Sequence, residues 1–488
     1  MMFAFLVVFL LHSGSFYLLF EYNVLILGGI SMRSFKFYVA LWMAKLSIPA
    51  LKITHHNGTD YPGHLALKIC PDFLFQIGKP ELIIAVTGTN GKTTCSNMIC
   101  DAFAAQGRKV LCNRYGSNIN SGISTCLITG ATMSGKAKYA VAVLETDERS
   151  APKLYPALKP QYIVVTNLFR DSIMRNGHPE YIAWILSKNI PKESRLVLNG
   201  DDLISSGIAP ENPRVYYGIN KLDTDVTECE NLLNDMRICP RCGAKLTYDY
   251  RRYHHIGKAH CSNCDFRSPE YDYAGHDIDF NNMTIEVSDR ETTGTYHIPN
   301  DSIFNIYNAV MTVALFRDMG VSAEELKGLM EKVKIPDTRF NVRKAGSVSI
   351  VTQLAKDKNA LAVTRATDYV RHLPGHKRLF LLISCYKDEH VWSENTCWLY
   401  DADFEMMNDP LIDQCVVTGP RALDFKLRLL YAGVPEEKIL CVLDEREAAS
   451  EFDINPGDGV YIFCGIDAFD LVDDCREIIR KRCLDAGL

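Results

Sequence analysis

The stretch AVTGTNGKTT, Ala85 to Thr94, and two Cys-x-x-Cys pairs farther along the chain are the residues whose types and spacing point to chemistry. Gly88 and Gly91 let the backbone wrap closely around an anion, so that its N–H groups aim at phosphate oxygens. Lys92 would then reach the β- and γ-phosphates, and the Thr93 hydroxyl would bind Mg²⁺. The strict pattern Gly-x-x-x-x-Gly-Lys-Ser/Thr is not met, because Val86 stands where its first glycine belongs. A glycine-rich turn ahead of any helix is the plain alternative. A strand, Gly-Lys-Thr and a helix in succession argue against it.

Cys239, Cys242, Cys261 and Cys264 form C-x₂-C-x₁₈-C-x₂-C. Each pair lies in a tight turn, CPRCG and CSNCD, that lets two thiolates converge on one ion. Four sulfurs at tetrahedral positions suit Zn²⁺, and such a closed site is structural rather than catalytic. A redox Cys-x-x-Cys is the competing reading, which two pairs at ribbon spacing disfavour. His254, His255 and His260 lie between the pairs and read as loop residues.

These groups need elements to hold them. ELIIAVTG reads as a buried strand and KTTCSNMICDAFAAQG as a helix with a glycine stop. KVLCN, YAVAVLET, YIVVTNL and SRLVLNGDD follow as further short strands with helices between, the rhythm of an α/β fold with a parallel sheet. The cysteine ribbon interrupts this unit at about 225–275, after which IFNIYNAVMTVALFRDMG resumes as a helix. VKIPDTRFNVRKAG reads as a linker into a smaller α/β unit. Its strands would be RLFLLIS, QCVVTG, KILCVL and GVYIFCG, and its helix PRALDFKLRLLYAGV, closed by Gly433. The division expected is 1–31 as an apolar extension, 32–335 as the nucleotide-binding domain with its ribbon insertion, and 336–488 as the C-terminal domain.

With 488 residues, 47% of them apolar, the chain can bury more than one core, and a net charge of −6 gives no global signature of nucleic-acid binding. Seventeen cysteines in so long a chain do not make a secreted disulfide framework. Outside the two pairs they stand singly, many in apolar runs, as expected of small core side chains in a reducing compartment. Met1 to Phe20 is uncharged and apolar, close to the length of one membrane span. It is either a membrane anchor or upstream sequence translated from a mistaken start, with Met32 as the natural one. The missing basic flank favours the latter.

The shortened loop TGTNGKTT resembles that of the ATP-dependent Mur ligases and their folylpolyglutamate synthase relatives. VLETDE, TNLFRDSIMRNG and FNIYNAVMTVAL resemble three further segments of those enzymes. The inserted ribbon, NRYGSNINSGI, NLFRDSIMRNG, CWLYDADFE and GPRALDFKLRLLYAGV together resemble the MurT family, over roughly residues 32–488. That resemblance implies a Mur ligase-type central domain with a P-loop. It implies an ATP site at Gly88, Thr89, Asn90, Gly91, Lys92, Thr93, Thr94, Asn305, Asn308 and Arg339, with the two asparagines at adenine. It also implies Mg²⁺ on Thr93 and Glu145, with Lys92 and Glu145 catalytic and Asn167 and Asp171 in register with family positions.

The activity implied is ATP-dependent amidation of the D-glutamate α-carboxylate in the stem peptide of lipid II, giving D-isoglutamine through an acyl phosphate. It would take place at the inner face of the bacterial cell membrane, in the cytoplasm. Ammonia would come from a GatD-like glutaminase partner, since no lone cysteine here sits on the glycine-flanked strand-to-helix elbow of a nucleophile. The sequence departs from the family where an aspartate completes the partner's catalytic triad. Asn395 of NTCW occupies that position, with Glu394 and Asp401 as nearby carboxylates. An asparagine can orient a histidine but supplies no charge. The alternatives are a stand-alone Mur or folylpolyglutamate-type amino-acid ligase, and a non-catalytic nucleotide-binding scaffold.

Overall fold

The computed structural model describes residues 33–53, 58–114, 117–170, 178–333, 340–355, 359–383, 396–465 and 468–488. Runs of β-branched and aliphatic residues form the strands of a first sheet. They are β1 (Leu82–Thr87), β2 (Val110–Cys112), β3 (Val141–Glu145), β4 (Tyr162–Val165), β5 (Arg195–Asn199) and β6 (Arg214–Ile219). An inserted hairpin, β7 (Leu246–Tyr253) and β8 (Ile256–Cys261), stands apart from that sheet. β9 (Tyr273–Asp279), β10 (Thr284–Ser288) and β11 (Thr293–His297) then complete it, in the order β11-β10-β9-β6-β5-β4-β1-β3-β2. Pairing is parallel from β2 to β9. The last two strands add antiparallel, so the expected parallel sheet carries a meander at one edge.

Alternate residues of β1 feed opposite cores, as the two-residue period of a strand requires. Ile83 and Ala85 face the helices Asn120–Thr129, Ala151–Leu158 and Pro179–Asn189, beneath an N-terminal layer that begins with the helix Phe35–Ile53. Ile84 and Val86 face the helices Lys92–Ala105 and Ile303–Asp318, where Phe103 and Phe316 meet at 4.8 Å.

The second sheet contains β12 (Phe340–Ala345), β13 (Val348–Leu354), β14 (Lys377–Leu382), β15 (Ile412–Val417), β16 (Ile439–Cys441) and β17 (Gly459–Cys464). Their order is β12-β13-β17-β14-β15-β16. The four strands and the helix expected here are present, the helix as Ala422–Tyr431. The second half of the expected linker, however, is β12, an edge strand antiparallel to β13 across a turn at Gly346. An edge strand needs a backbone partner on one side only, so polar, unpatterned sequence suffices to form it.

Candidate functional site

β1 lies between β3 and β4, and all three run the same way. Their carboxyl ends therefore open at one edge, the position where parallel sheets place ligands. Glu145, the last residue of β3, pairs in register with Val86, and Thr166 and Asn167 follow directly on β4. The loop Gly88–Gly91 leaves β1 between them.

Two glycines are required there by contact as well as by dihedral. Gly88 has φ 123°, and a Cβ on it would stand 2.3 Å from Thr166 Oγ1 and 2.8 Å from the Asn167 carbonyl. Gly91, with φ 87°, caps the helix Lys92–Ala105 and faces the Asn308 amide. The loop is held from below by β4. Asn167 Oδ1 accepts the Asn90 N–H at 3.0 Å, and the Thr89 N–H donates to the Asn167 carbonyl at 2.8 Å.

Lys92 and Thr93 face two different carboxylates. The Lys92 ammonium donates to the Gly88 carbonyl and lies 2.9 Å from Glu148 Oε1. The same Glu148 oxygen, on a side chain only 2% exposed, accepts the Gly88 N–H at 3.0 Å. The Thr93 hydroxyl donates to Glu145 Oε2 at 2.7 Å, and Asn118 Nδ2 donates to Glu145 Oε1 at 3.0 Å. Asn113 exchanges hydrogen bonds with the Glu145 backbone, fixing the strand end.

These residues fit a nucleoside triphosphate. The loop is bare of side chains at its closest approaches, a 14-residue helix begins at it, and a lysine stands at its mouth. The Thr93–Glu145 pair offers two oxygen ligands of the kind a hard divalent cation takes.

Asn305 and Asn308 are buried in the first turns of the helix Ile303–Asp318. Asn308 Oδ1 accepts the Cys95 thiol, and its Nδ2 donates to Asn305 Oδ1 at 3.3 Å. The structure thus brings both to the loop. Thr94 is buried in the helix just beyond it. Arg339, Asp171, Glu394 and Asn395 lie outside the described residues. Asp401 lies 3.5 Å from Arg170 Nη1, and burial raises its carboxyl above the usual value.

The four cysteine sulfurs lie within 4.8 Å of one another, with Cys239–Cys264 at 3.6 Å and Cys242–Cys261 at 3.5 Å. Sulfurs around zinc at about 2.3 Å in a tetrahedron stand about 3.8 Å apart, so the set fits the ion. The Ala244 backbone, the Asn263 group and the Cys261 thiol lower the Cys242 thiol, whereas burial and the neighbouring thiols raise that of Cys264, so the cluster without an ion shares protons that a metal would displace.

Far from dangling in solvent, the ribbon's hairpin tip is packed behind the phosphate loop. His254 and His255 do occupy the turn between β7 and β8, yet both rings are buried. His255 Nε2 lies 3.2 Å from Asp202 Oδ1, and its ring packs 4.4 Å from Phe169. Asp202 Oδ2 accepts the Leu168 N–H at 2.7 Å, and the Phe169 N–H donates to the Thr89 hydroxyl at 2.9 Å. Burial alone would raise the Asp202 carboxyl, but the His255 hydrogen bond and charge bring it below the ordinary value. Arg252 of β7 binds Asp225 at 2.7 Å and Asp201 at 3.4 Å, and reaches the Tyr307 hydroxyl on the asparagine-bearing helix. A continuous line of contacts therefore joins the ribbon to the loop.

The C-terminal unit meets the same region. Asn359 Nδ2 approaches Asn90 Oδ1 at 3.4 Å while its own Oδ1 caps the helix Ala360–His372. Asp403 accepts from Asn231 and Leu232 of the segment leading into the ribbon. Sequence reasoning missed Glu148, Asp202 and Asn359. Only Glu148 had a signal, as the last of three acidic residues within the four positions that begin at Glu145.

Known proteins resemble this chain in sequence and in fold. A family profile described as Mur ligase middle domain matches residues 86–239, and one described as MurT ligase C-terminal matches residues 357–469. The MurT subunit of a glutamine-hydrolysing lipid II isoglutaminyl synthase from Staphylococcus aureus (strain COL) is 30% identical over 405 residues, covering 81% of this chain and 88% of its own. The same subunit from Streptococcus pneumoniae (strain ATCC BAA-255 / R6) is 29% identical over 387 residues, covering 78% and 84%. A solved pseudomurein peptide ligase type C from Methanothermus fervidus shares the fold, with a TM-score of 0.60 at 20% identity over 84% of this chain and 80% of that one.

Proposed function

Because this chain belongs to the MurT family of Mur ligase-type enzymes, we propose that it is the ATP-dependent synthetase subunit that amidates the D-glutamate α-carboxylate of the lipid II stem peptide. The observation that carries this reading is the match along nearly nine-tenths of the S. aureus MurT subunit, 88% of its length. The Lys92, Thr93 and Glu145 geometry at the phosphate loop supports it.

A carboxylate is a poor electrophile, so it must first be activated. In the proposed reaction its oxygen attacks the γ-phosphorus of ATP, the bond to ADP breaks, and an acyl phosphate forms. Ammonia then attacks the acyl carbon, the C–O bond to phosphate breaks, and the surplus ammonia proton passes to solvent. Lys92 offsets charge on the transferring phosphoryl group, and loop N–H groups and the helix N-terminus hold the other phosphates. Mg²⁺, held by Thr93 and Glu145, would supply further charge neutralisation there. Asn305, Asn308 and Arg339 complete the ATP site in this reading. Glu148 positions Lys92 and the Gly88 N–H. Ammonia comes from a glutaminase partner of the GatD type, because little free ammonia exists at neutral pH. Zn²⁺ on Cys239, Cys242, Cys261 and Cys264 stabilises the ribbon. The domain division at about 335 and the ribbon insertion at about 225–275 belong to the same proposal.

The test is reconstitution with a glutaminase partner, ATP, Mg²⁺, glutamine and lipid II, reading D-isoglutamine by mass spectrometry. Product that requires every component, and that disappears in Lys92→Ala with fold and partner binding retained, is the expected result. Undiminished product from Lys92→Ala, or none from the complete wild-type mixture, overturns the proposal.

A further inference from the structure

Leu168, Phe169 and Arg170 follow Asn167, and the inserted ribbon takes hold of all three. The Leu168 N–H donates to Asp202 Oδ2 at 2.7 Å, and Asp202 Oδ1 lies 3.2 Å from His255 Nε2 in the hairpin turn. The Phe169 ring meets three rings of that turn, Tyr253 at 6.1 Å, His254 at 5.8 Å and His255 at 4.4 Å. The Arg170 guanidinium binds Asp235, in the segment leading into the ribbon, at 2.6 and 2.9 Å. On its other side the same stretch grips the phosphate loop. The Phe169 N–H donates to the Thr89 hydroxyl at 2.9 Å, and that hydroxyl lies 3.2 Å from the Phe169 carbonyl. The Thr89 N–H donates to the Asn167 carbonyl at 2.8 Å.

Every group in this route is out of water. Thr89, Leu168, Phe169, Asp202 and His255 are all buried. Asp202 is further fixed by its own turn, since Oδ1 accepts the Ile204 and Ser205 N–H groups at 2.9 and 3.2 Å and its backbone bridges to Ile256 of β8. A carboxylate so held cannot follow a displaced loop, and the loop cannot move without leaving it. Contiguous packed and hydrogen-bonded groups of this kind carry coupling between sites. The adjacent Asp201 makes the matching link to the asparagine-bearing helix. Its Oδ2 accepts the Tyr307 hydroxyl at 2.5 Å, and the Tyr250 hydroxyl of β7 reaches its Oδ1 at 3.3 Å. The turn after β5 therefore ties the ribbon to both parts of the candidate nucleotide site.

We propose that His255 and Phe169 are positioning residues through which the ribbon sets the phosphate loop for a nucleoside triphosphate, so that ribbon and nucleotide stabilise each other. This positioning rests on the reading that Gly88–Thr94 binds the phosphates of a nucleotide, and on nothing about which carboxylate is amidated. Neither residue touches the ligand. His255 acts through Asp202 on the Leu168 N–H, and Phe169 acts through its own backbone on Thr89. The four cysteines close the opposite end of the hairpin, where β8 ends at Cys261, so order there is carried along the two strands to the turn. Coupling of this kind is reciprocal: what the ribbon does for the nucleotide, the nucleotide must do for the ribbon.

Hydrogen exchange and calorimetry on the full chain test this without any activity measurement. A non-hydrolysable ATP analogue with Mg²⁺ should slow amide exchange in β7 and β8 of the wild type by about fivefold or more. Exchange in β11, at the far edge of the sheet, should change by less than about twofold, which separates coupling from general stabilisation. His255→Leu and Phe169→Leu should each bind the analogue about tenfold more weakly, and in both the analogue should no longer slow exchange in the hairpin. His255→Gln, whose amide can still donate to Asp202, should stay within about threefold of the wild type. Phe169→Leu keeps the backbone bonds to Thr89 and leaves the Asp202 pair intact, so it and the wild-type exchange decide the matter if His255→Leu does not fold. Equal slowing of β11 and the hairpin in the wild type overturns the proposal, as does undiminished affinity in Phe169→Leu. A loss in His255→Gln as large as that in His255→Leu overturns it for the histidine. Wild-type protein that binds no analogue overturns the nucleotide reading itself and this inference with it, whereas binding with no change in hairpin exchange overturns the coupling alone.

Discussion

Replacing Glu148 by glutamine removes one negative charge from beneath the phosphate loop and changes the shape of the side chain very little. Glu148 Oε1 accepts both the Lys92 ammonium, at 2.9 Å, and the Gly88 N–H, at 3.0 Å. Glutamine can keep its oxygen in that place, so what is lost is chiefly charge. At 2.9 Å and an effective dielectric near 20, the attraction is about 6 kcal/mol. The carboxylate is 2% exposed, and the desolvation it no longer suffers returns roughly half of that. The net loss should be about 3 kcal/mol, the low end for breaking a buried pair. In a domain of this size that lowers the thermal midpoint of the ligand-free protein by about 6 °C. The second expectation is sharper. In the wild type Lys92 must leave Glu148 to meet a phosphate, and Glu148→Gln loosens that hold. A non-hydrolysable ATP analogue with Mg²⁺ should therefore raise the midpoint more in the variant than in the wild type, by about 2 °C or more. Scanning fluorimetry with and without the analogue reads both numbers. An unchanged ligand-free midpoint, or equal increments in the two proteins, would refute the reasoning.

Zinc should be found at about one ion per chain, and Cys242→Ser should lose both the metal and thermal stability, since binding and folding of such a ribbon are linked; metal analysis of freshly purified protein checks this. Burial pushes the His254 imidazolium down to about 3, against about 6.5 when unfolded. A base whose folded pKa is depressed contributes fully above the unfolded value, and that contribution falls as pH drops from about 6.5 toward 3, by about 2 kcal/mol at pH 5. His254 has φ 46°, which asparagine tolerates, so His254→Asn should remove this part of the acid sensitivity; urea midpoints of both proteins at pH 7 and pH 5 decide it. Asn395→Asp should raise glutamine hydrolysis by the partner complex, because a carboxylate stabilises imidazolium where an amide only orients it. Flat glutaminase rates in that variant, with loss in Glu394→Gln or Asp401→Asn, would move the acid elsewhere.

Much of this protein was legible in its sequence because the relevant information is local. The Gly88–Thr94 loop, the strand before it and the helix after it are consecutive, and each is specified by spacing within a few residues. The same holds for the cysteine pairs, whose turns bring two sulfurs together without help from the rest of the chain. Tertiary structure decided the remainder. Glu148 becomes the partner of Lys92 only because β1 and β3 are parallel neighbours that end at one edge. Asp202, distant in sequence from both the ribbon and the loop, links them because β5 returns beside β4 and presents its carboxyl end to the same edge. β12 offered no hydrophobic pattern to read, since its stability comes from backbone pairing with β13. The buried side of Phe35–Ile53 was equally hidden. Apolar residues recur along most of this helix, and only packing determines that Phe37, Ala40, Leu41 and Ala44 are the ones buried in the core.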